Sequence, residues 1–351
     1  MNAGERLAPE QHDTLPEIAE PAENPLLIGH RNEASGIASA YRTGRLHHAI
    51  LLHGPRGIGK ATFAFAVARH LLAHPDAASA SESLVAPDPQ SVLFRQVATG
   101  AHPGVLHLTR PLDRDGKKFK TAITVDEVRR VAKLLSMTSH DGSYRVVVVD
   151  PADDMNINAA NALLKNLEEP PSRTLFILIS HAPGGLLPTI RSRCQAIRLQ
   201  PLAPDDVLAV LAALGEPVPE DEAARGEIVR HAEGSPRSAL LMTRYGGLDL
   251  SQALDAVLSA PRFDVAAAYK LAEAVSGRDA DIQFGFLNET ILERIAARAG
   301  EAAMAGELRH AQALSGLWQE TRETMRETGV YNLDRKQHVV GLIGRLREGL
   351  V

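Results

Sequence analysis

The chain has 351 residues, enough for two or three domains, and its 44% hydrophobic and 23% charged content is that of an ordinary globular protein. A formal net charge of −5 excludes a protein that is basic overall, so any nucleic-acid contact has to come from a local patch or from a partner. The single cysteine, Cys194, excludes an internal disulfide and any four-cysteine zinc site.

Residues 1–24, MNAGERLAPEQHDTLPEIAEPAEN, are acidic and Pro-rich, with no apolar signal core, and read as a flexible arm. From Pro25 onward short apolar runs alternate with helical segments. HAILLHG (48–54) is predicted as a buried strand. KATFAFAVARHLLAH (60–74) is predicted as a helix, with Phe63, Val67, His70 and Leu71 on one face. The Ala-, Ser- and Pro-rich stretch 75–91 has no core pattern and is expected to be a mobile surface loop.

VLHL (105–108) is the second strand. The basic cluster GKKFK (116–120) reads either as a basic patch or, since it lacks stacking platforms beyond Phe119, as a solvated hairpin, the preferred reading. TVDEVRRVAKLLSM (124–137) starts with Thr124 and Glu127 at capping-box spacing. YRVVVVD (144–150) and TLFILIS (174–180) are continuous apolar runs, the pattern of parallel strands covered on both faces. Between them NINAANALLKNLEEPP is a helix stopped by Pro170 and Pro171. CQAIRLQ (194–200) is a fifth strand candidate. After PLAPDD (201–206) the strand signals end, leaving three short helices within 204–245 and four or five longer ones within 248–351. The chain therefore reads as a parallel sheet flanked by helices, followed by helical domains. Its apolar runs fall far short of the roughly 18 residues that span a bilayer, so a soluble cytoplasmic protein with no membrane partner is expected.

The most informative stretch is HGPRGIGKATF (53–63). Gly54, Gly57, Gly59 and Lys60 fit the phosphate-loop spacing G-x-x-x-x-G-K between a strand and a helix. Such glycines let the backbone wrap an anion, and the helix dipole and the lysine attract it. The Ser or Thr that normally follows the lysine and coordinates Mg²⁺ is replaced by Ala61. Thr62 is one residue further on, about 100° around the helix, and should point elsewhere. At the end of VVVVDPAD, Asp150 occupies a Walker-B position, but the acidic neighbour that would orient water is Pro151. Two positions of the hydrolytic chemistry are thus missing. Two readings of the loop stay open: it holds ATP or ADP without turnover, or it survives only as a strand–helix connector.

With these motifs in place the chain resembles the AAA+ clamp-loader family of DNA replication, in particular subunits of the bacterial DNA polymerase III clamp loader. The resemblance runs from about Pro25 to Leu241 and more loosely beyond. It rests on NPLLIGH (24–30), GRLHHAILLHGPRGIGK (44–60), INAANALLKNLEEPP (157–171), LLPTIRSRC (186–194) and GSPRSAL (234–240). The resemblance implies an α/β AAA+ P-loop domain at 25–201, a small helical lid at 202–246 and an all-α oligomerisation collar at 247–351. It also implies that Arg193 of Ser-Arg-Cys acts in trans as an arginine finger on a neighbour's ATP, with Arg191 as the competing candidate; the other reading of Arg193 is an ordinary surface arginine or a salt bridge to the helix end. A guanidinium suits that task through its permanent charge and forked donors.

Gly54, Gly57, Gly59, Lys60, Thr62 and Arg237 would form a degenerate nucleotide site, Arg237 either facing that site or making a structural ion pair. Ser192 and Cys194 are expected to pack rather than react. Lys165 either meets phosphate or lies on a solvated face. Many relatives carry a four-cysteine zinc module, but 72–104 contains no cysteine, so no zinc is expected. His47, His48 and His102 lack ligand partners at metal spacing and read as structural, so no metal site is expected.

The implied function is a non-hydrolysing subunit that helps load the sliding clamp on primed DNA. Its partners would be the ATPase motor subunits and the delta subunit, with the clamp and DNA reached through the complex. An active AAA+ ATPase, either a loader motor or another remodelling factor, is the competing reading, and Ala61 and Pro151 count against it. In the last region Ala311, Leu314, Leu317 and Trp318 form a helical apolar face, suited either to a partner or to the chain's own core.

Overall fold

The computed structural model describes residues 6–85, 88–136, 143–277, 280–331 and 333–350. Residues 1–5 of the expected arm, 86–87 of the expected insertion and Met137 of the expected helix 124–137 lie outside the described residues. Compactness divides the chain into two units. The first is Met1–Gly215 with Glu233–Arg237, and the second is Glu216–Ala232 with Ser238–Val351. The stretch expected as a lid, 202–246, is shared between the two.

The first unit starts with helix α1 (Arg31–Arg42), strand β1 (Ala49–His53), α2 (Lys60–Ala73), α3 (Val92–Ala98) and β2 (Val105–Leu108). It continues with α4 (Val125–Ser136), β3 (Arg145–Val149), α5 (Ile157–Glu168) and β4 (Thr174–Ser180). The short α6 (Pro188–Arg191), β5 (Gln195–Arg198) and α7 (Pro204–Ala213) complete it. The sheet is entirely parallel, in the order β2-β3-β4-β1-β5.

The apolar runs work because side chains alternate across a strand, and both faces are covered. Ile50 and Leu52, Val146 and Val148, and Leu175, Ile177 and Ile179 enter one core with Phe63, Val67 and Leu71 of α2. Ala49 and Leu51, Val147 and Val149, and Phe176 and Leu178 enter the opposite core with Val128 and Val131 of α4 and Leu163 and Leu167 of α5. Each fully buried aliphatic side chain of this kind is worth roughly 1.5–3 kcal/mol of transfer free energy. β5 is the exception, an edge strand with Gln195, Ala196 and Arg198 exposed.

Helix ends follow local chemistry. Asn156 caps α5 by accepting from the Ala159 amide at 2.9 Å, and Pro170–Pro171 follow its last turn. Ser91 caps α3 in the same way through Phe94 N–H at 3.2 Å. Around the basic cluster 116–120 the backbone doubles back: Asp113 N–H donates to Lys118 O at 2.7 Å and Lys120 N–H to Pro111 O at 2.8 Å.

The segment 6–24, expected as a flexible arm, contains no helix or strand yet is held on the first unit. Ala8 and Ala22 pack with Phe65 and Leu72 of α2 and Val97 of α3. The buried Arg69 of α2 donates to the carbonyls of Ala22 at 2.9 Å and Asn24 at 2.8 Å, and lies 5.1 Å from the Phe94 ring centroid. Within the arm, Arg6 donates to Leu15 O at 2.9 Å and Ile18 O at 3.2 Å, and Thr14 hydrogen-bonds the buried Glu20.

The second unit is helical. It comprises α8 (Glu222–Ala232), most of α9 (Pro236–Arg244), α10 (Gly247–Ser259), α11 (Val265–Ala274), α12 (Asp281–Met304), α13 (Leu308–Tyr331) and α14 (Arg335–Leu350). The apolar face of α13 is partly taken up internally. Leu314 is buried, Ala311, Leu317 and Trp318 are half-buried, and α14 lies so close that a Cβ on Gly349 would come within 2.8 Å of Leu317.

Candidate functional site

The strand order reverses beside β1, and the crevice at the carboxyl ends of such strands is where open α/β sheets bind ligands. The phosphate-type loop lies there, between β1 and α2. Gly54 has φ 149° and packs on β5's exit: a Cβ there would meet Leu199 O at 2.3 Å. Gly57 has φ 74°, and a Cβ would meet Ser235 Oγ at 2.3 Å and Arg237 Cβ at 2.6 Å. The segment 234–237 is therefore laid directly on the loop, a contact that only a glycine permits. Gly59 precedes α2 with φ 95°. Lys60 is 3% exposed and its ammonium donates to Gly54 O at 2.8 Å and to Pro55 O. Ala61 packs against the core and Thr62 is half-buried in the first turn of α2.

The arm crosses this loop. Asp13 lies between two guanidiniums: Arg56 Nη2 of the loop is 3.0 Å from Asp13 Oδ2, and Arg237 Nη1 is 3.8 Å from the same oxygen. Arg237 Nη2 also donates to the Asp13 carbonyl at 2.6 Å. Burial alone would raise the Asp13 carboxyl, but Arg237 and Arg56 outweigh it and hold the group well below the usual carboxylate range. The next residue along the arm, His12, places Nε2 3.9 Å from Asp154, whose carboxylate is gripped by Arg110 through two bonds of 2.6 and 2.7 Å. Burial lowers the pKa of the His12 imidazole.

At the strand ends the carboxylate that organises the corner is Asp153. It accepts from Ser180 Oγ at 3.0 Å, His181 N–H at 2.8 Å and Ala182 N–H at 3.2 Å, tying the exit of β3 to the exit of β4. Asp150, in the Walker-B position, is 3.7 Å from His107 Nε2. Pro151 follows it and supplies no acceptor side chain. His181 is held well below the ordinary histidine range, first by burial and then by Lys60 and Arg56, so it is neutral beside the loop.

Arg193 stands apart from this cluster, between α6 and the edge strand β5. Its Nη2 lies 2.6 Å from Glu168 Oε1 at the end of α5, and its Nη1 donates to Thr189 O at 2.9 Å. The side chain is one-third exposed. Arg191, in the last turn of α6, is exposed. Cys194 packs against the sheet's second core, and burial pushes its thiol up to about 11. Lys165 lies on the exposed face of α5.

The structure thus brings Gly54, Gly57, Gly59, Lys60 and Arg237 together and keeps Arg193 elsewhere. Asp13, Arg56, Asp153 and His181 were not singled out from the sequence. Arg56 lies inside the loop motif and offered a signal; Asp13 offered none. Among the described residues no cluster of three or more His, Cys, Asp or Glu side chains could hold a metal ion. No helix among them is long and apolar enough to cross a membrane.

The sequence profile of the family described as "DNA polymerase III, delta subunit" matches residues 29–203. DNA polymerase III subunit delta' of Pseudomonas aeruginosa is 40% identical over 196 residues, covering 55% of this chain and 54% of that protein. The subunit of the same name from Escherichia coli K12 is 30% identical over 274 residues, covering 78% of this chain and 77% of its own. The chain thus spans about half the length of the first relative and about three quarters of the second. A solved RuvB from Thermotoga maritima covers 82% of this chain and 86% of its own at 18% identity and a TM-score of 0.40, too loose a likeness to bear on function.

Proposed function

The chain belongs to the family of DNA polymerase III delta' subunits, and from that premise we propose that it is a non-hydrolysing subunit of the polymerase's clamp loader. In this role it joins the ATPase motor subunits and the delta subunit in the cytoplasm. It helps open or load the sliding clamp on primed DNA, and it presents Arg193 to the ATP of a neighbouring subunit.

One observation carries the reading. The residues that would manage metal and water are replaced at both of their positions, by Ala61 and Pro151, while Arg193 stays one-third exposed beside an edge strand. Without a hydroxyl after Lys60 there is no protein ligand from the loop for Mg²⁺ bridging the β- and γ-phosphates. A guanidinium held by Glu168 and a carbonyl is already oriented, with exposed atoms left for an incoming phosphate. The helical second unit provides the oligomerising region in this reading.

ATP turnover tests both halves. The isolated chain is expected to show no Mg²⁺-dependent hydrolysis. In the assembled loader, Arg193→Ala is expected to lower turnover strongly, as loss of an arginine finger does by roughly 10³ or more. Hydrolysis by the isolated chain that Lys60→Ala abolishes would favour the competing reading of an active motor. Unchanged turnover with Arg193→Ala would remove the finger.

A further inference from the structure

The phosphate loop gathers three cations. Lys60 is buried, Arg56 belongs to the loop, and Arg237 is laid against Gly57. Lys60 is engaged by the loop's own carbonyls. The two arginines share one carboxylate, and that carboxylate comes from the chain's own arm. We infer that residues 6–24 are a built-in occupant of the loop's anion site, with Asp13 standing where a nucleotide would place a phosphate, so that a nucleoside di- or triphosphate enters only when the arm is displaced.

Three features carry the inference. The first is chemical: forked guanidinium donors take carboxylate and phosphate oxygens through the same geometry, and Asp13 offers both a carboxylate and a carbonyl to them. The second is positional. Asp13 and His12 together reach Arg56 of the loop, Arg237 of the 234–237 segment and Asp154 beyond the end of β3. These are the surroundings of the crevice where open α/β sheets bind their ligands.

The third is the way the arm is anchored. Its other attachments are to α2 and α3, where Arg69 holds the carbonyls of Ala22 and Asn24 and where Ala8 and Ala22 pack. The Asp13 tip is more accessible, with its side chain 35% exposed, so it can leave the site while the rest of the arm stays in place. An intramolecular ligand on a short tether acts at an effective concentration of the order of millimolar, so a nucleotide must out-compete it before binding is seen. The inference goes beyond the loader role and is independent of it, because it concerns this chain's own loop and is read on the isolated protein.

Binding of N-methylanthraniloyl-ADP, followed by fluorescence, tests it on the full chain. Asp13→Asn keeps the shape and removes the charge, and Asp13→Arg adds repulsion toward Arg56 and Arg237. Both variants are expected to bind the nucleotide at least about tenfold more tightly than the native chain, with Asp13→Arg the tighter. A synthetic peptide of residues 6–24, added to a chain lacking residues 1–24, is expected to compete with the nucleotide. Native-like melting of both point variants with affinity no higher than that of the native chain would overturn the proposal. So would nucleotide binding to the native chain that leaves amide-exchange protection of residues 11–16 unchanged. Release of that protection on binding would support it even if the truncated chain failed to fold.

Discussion

Arg193 and Glu168, 25 positions apart, meet through a 2.6 Å contact that joins the segment before β5 to the last turn of α5. The ion pair is one-third exposed on the arginine side and half-exposed on the glutamate side, so its worth to folding is small, at most about 1 kcal/mol. Together with the Thr189 carbonyl it fixes the direction of the guanidinium. Glu168→Ala should therefore leave the melting temperature nearly unchanged. On the proposed role of Arg193 as a finger in the assembled loader, it should lower ATP turnover by a smaller factor than Arg193→Ala, because the charge remains and only its aim is lost. A loss as large as that of Arg193→Ala would mean that Glu168 itself carries the function.

Gly57→Ala tests the seating of the 234–237 segment on the loop. The added Cβ would stand 2.3 Å from Ser235 Oγ at a φ of 74°, so both the backbone and the neighbour must give way. A destabilisation of about 1–3 kcal/mol is expected, with increased amide exchange in 234–237. Urea unfolding with the same midpoint as the native chain would contradict this packing.

Arg69→Leu should loosen the arm without touching the loop. It strips the Ala22 and Asn24 carbonyls of their donor, at a cost of about 1–3 kcal/mol for the buried Ala22 group and less for the half-buried Asn24 group. Limited proteolysis should then cut within residues 6–24 far faster than in the native chain. Equal cutting rates would show that the arm is held by something other than Arg69.

Acid sensitivity should trace in part to His70. It is 2% exposed, neither ring nitrogen has a hydrogen-bond partner, and burial followed by the charge of nearby His74 lowers its pKa to about 4. The unfolded chain, with a pKa near 6.5, binds more protons than the folded chain between those two values, so stability falls as pH drops through this window. By pH 5 the loss from this one group is about 2 kcal/mol. His70→Phe should reduce the pH 7 to pH 5 drop in unfolding free energy by about that amount. An unchanged drop would assign the acid sensitivity to other groups.

The sheet was legible in the sequence because each central strand is covered on both faces and so reads as an unbroken apolar run, as in VVVV (146–149) and LFILI (175–179). The helix α1 is weakly marked in the sequence: Ala34, Ile37, Ala38 and Tyr41 recur at helical spacing, but two of the four are alanines and the segment between them is polar. The loop motif was legible because its glycines and lysine are contiguous. Asp13 was not, because its partner Arg237 is 224 positions away and no local period links them. An acidic, Pro-rich segment looks unstructured on its own. Here its order comes from Arg69, Arg56 and Arg237, residues of the unit it covers.

The half-buried thiol of Cys194 has a practical consequence. With its pKa pushed up to about 11, little of the thiol is thiolate at pH 7, and the thiolate is the form that alkylating dyes attack. As the protein's one native cysteine, it leaves the chain nearly silent to maleimide chemistry. A cysteine introduced at an exposed arm position such as Glu17 can then be labelled selectively, and the arm's departure from the loop can be watched by single-molecule fluorescence without first rebuilding the protein.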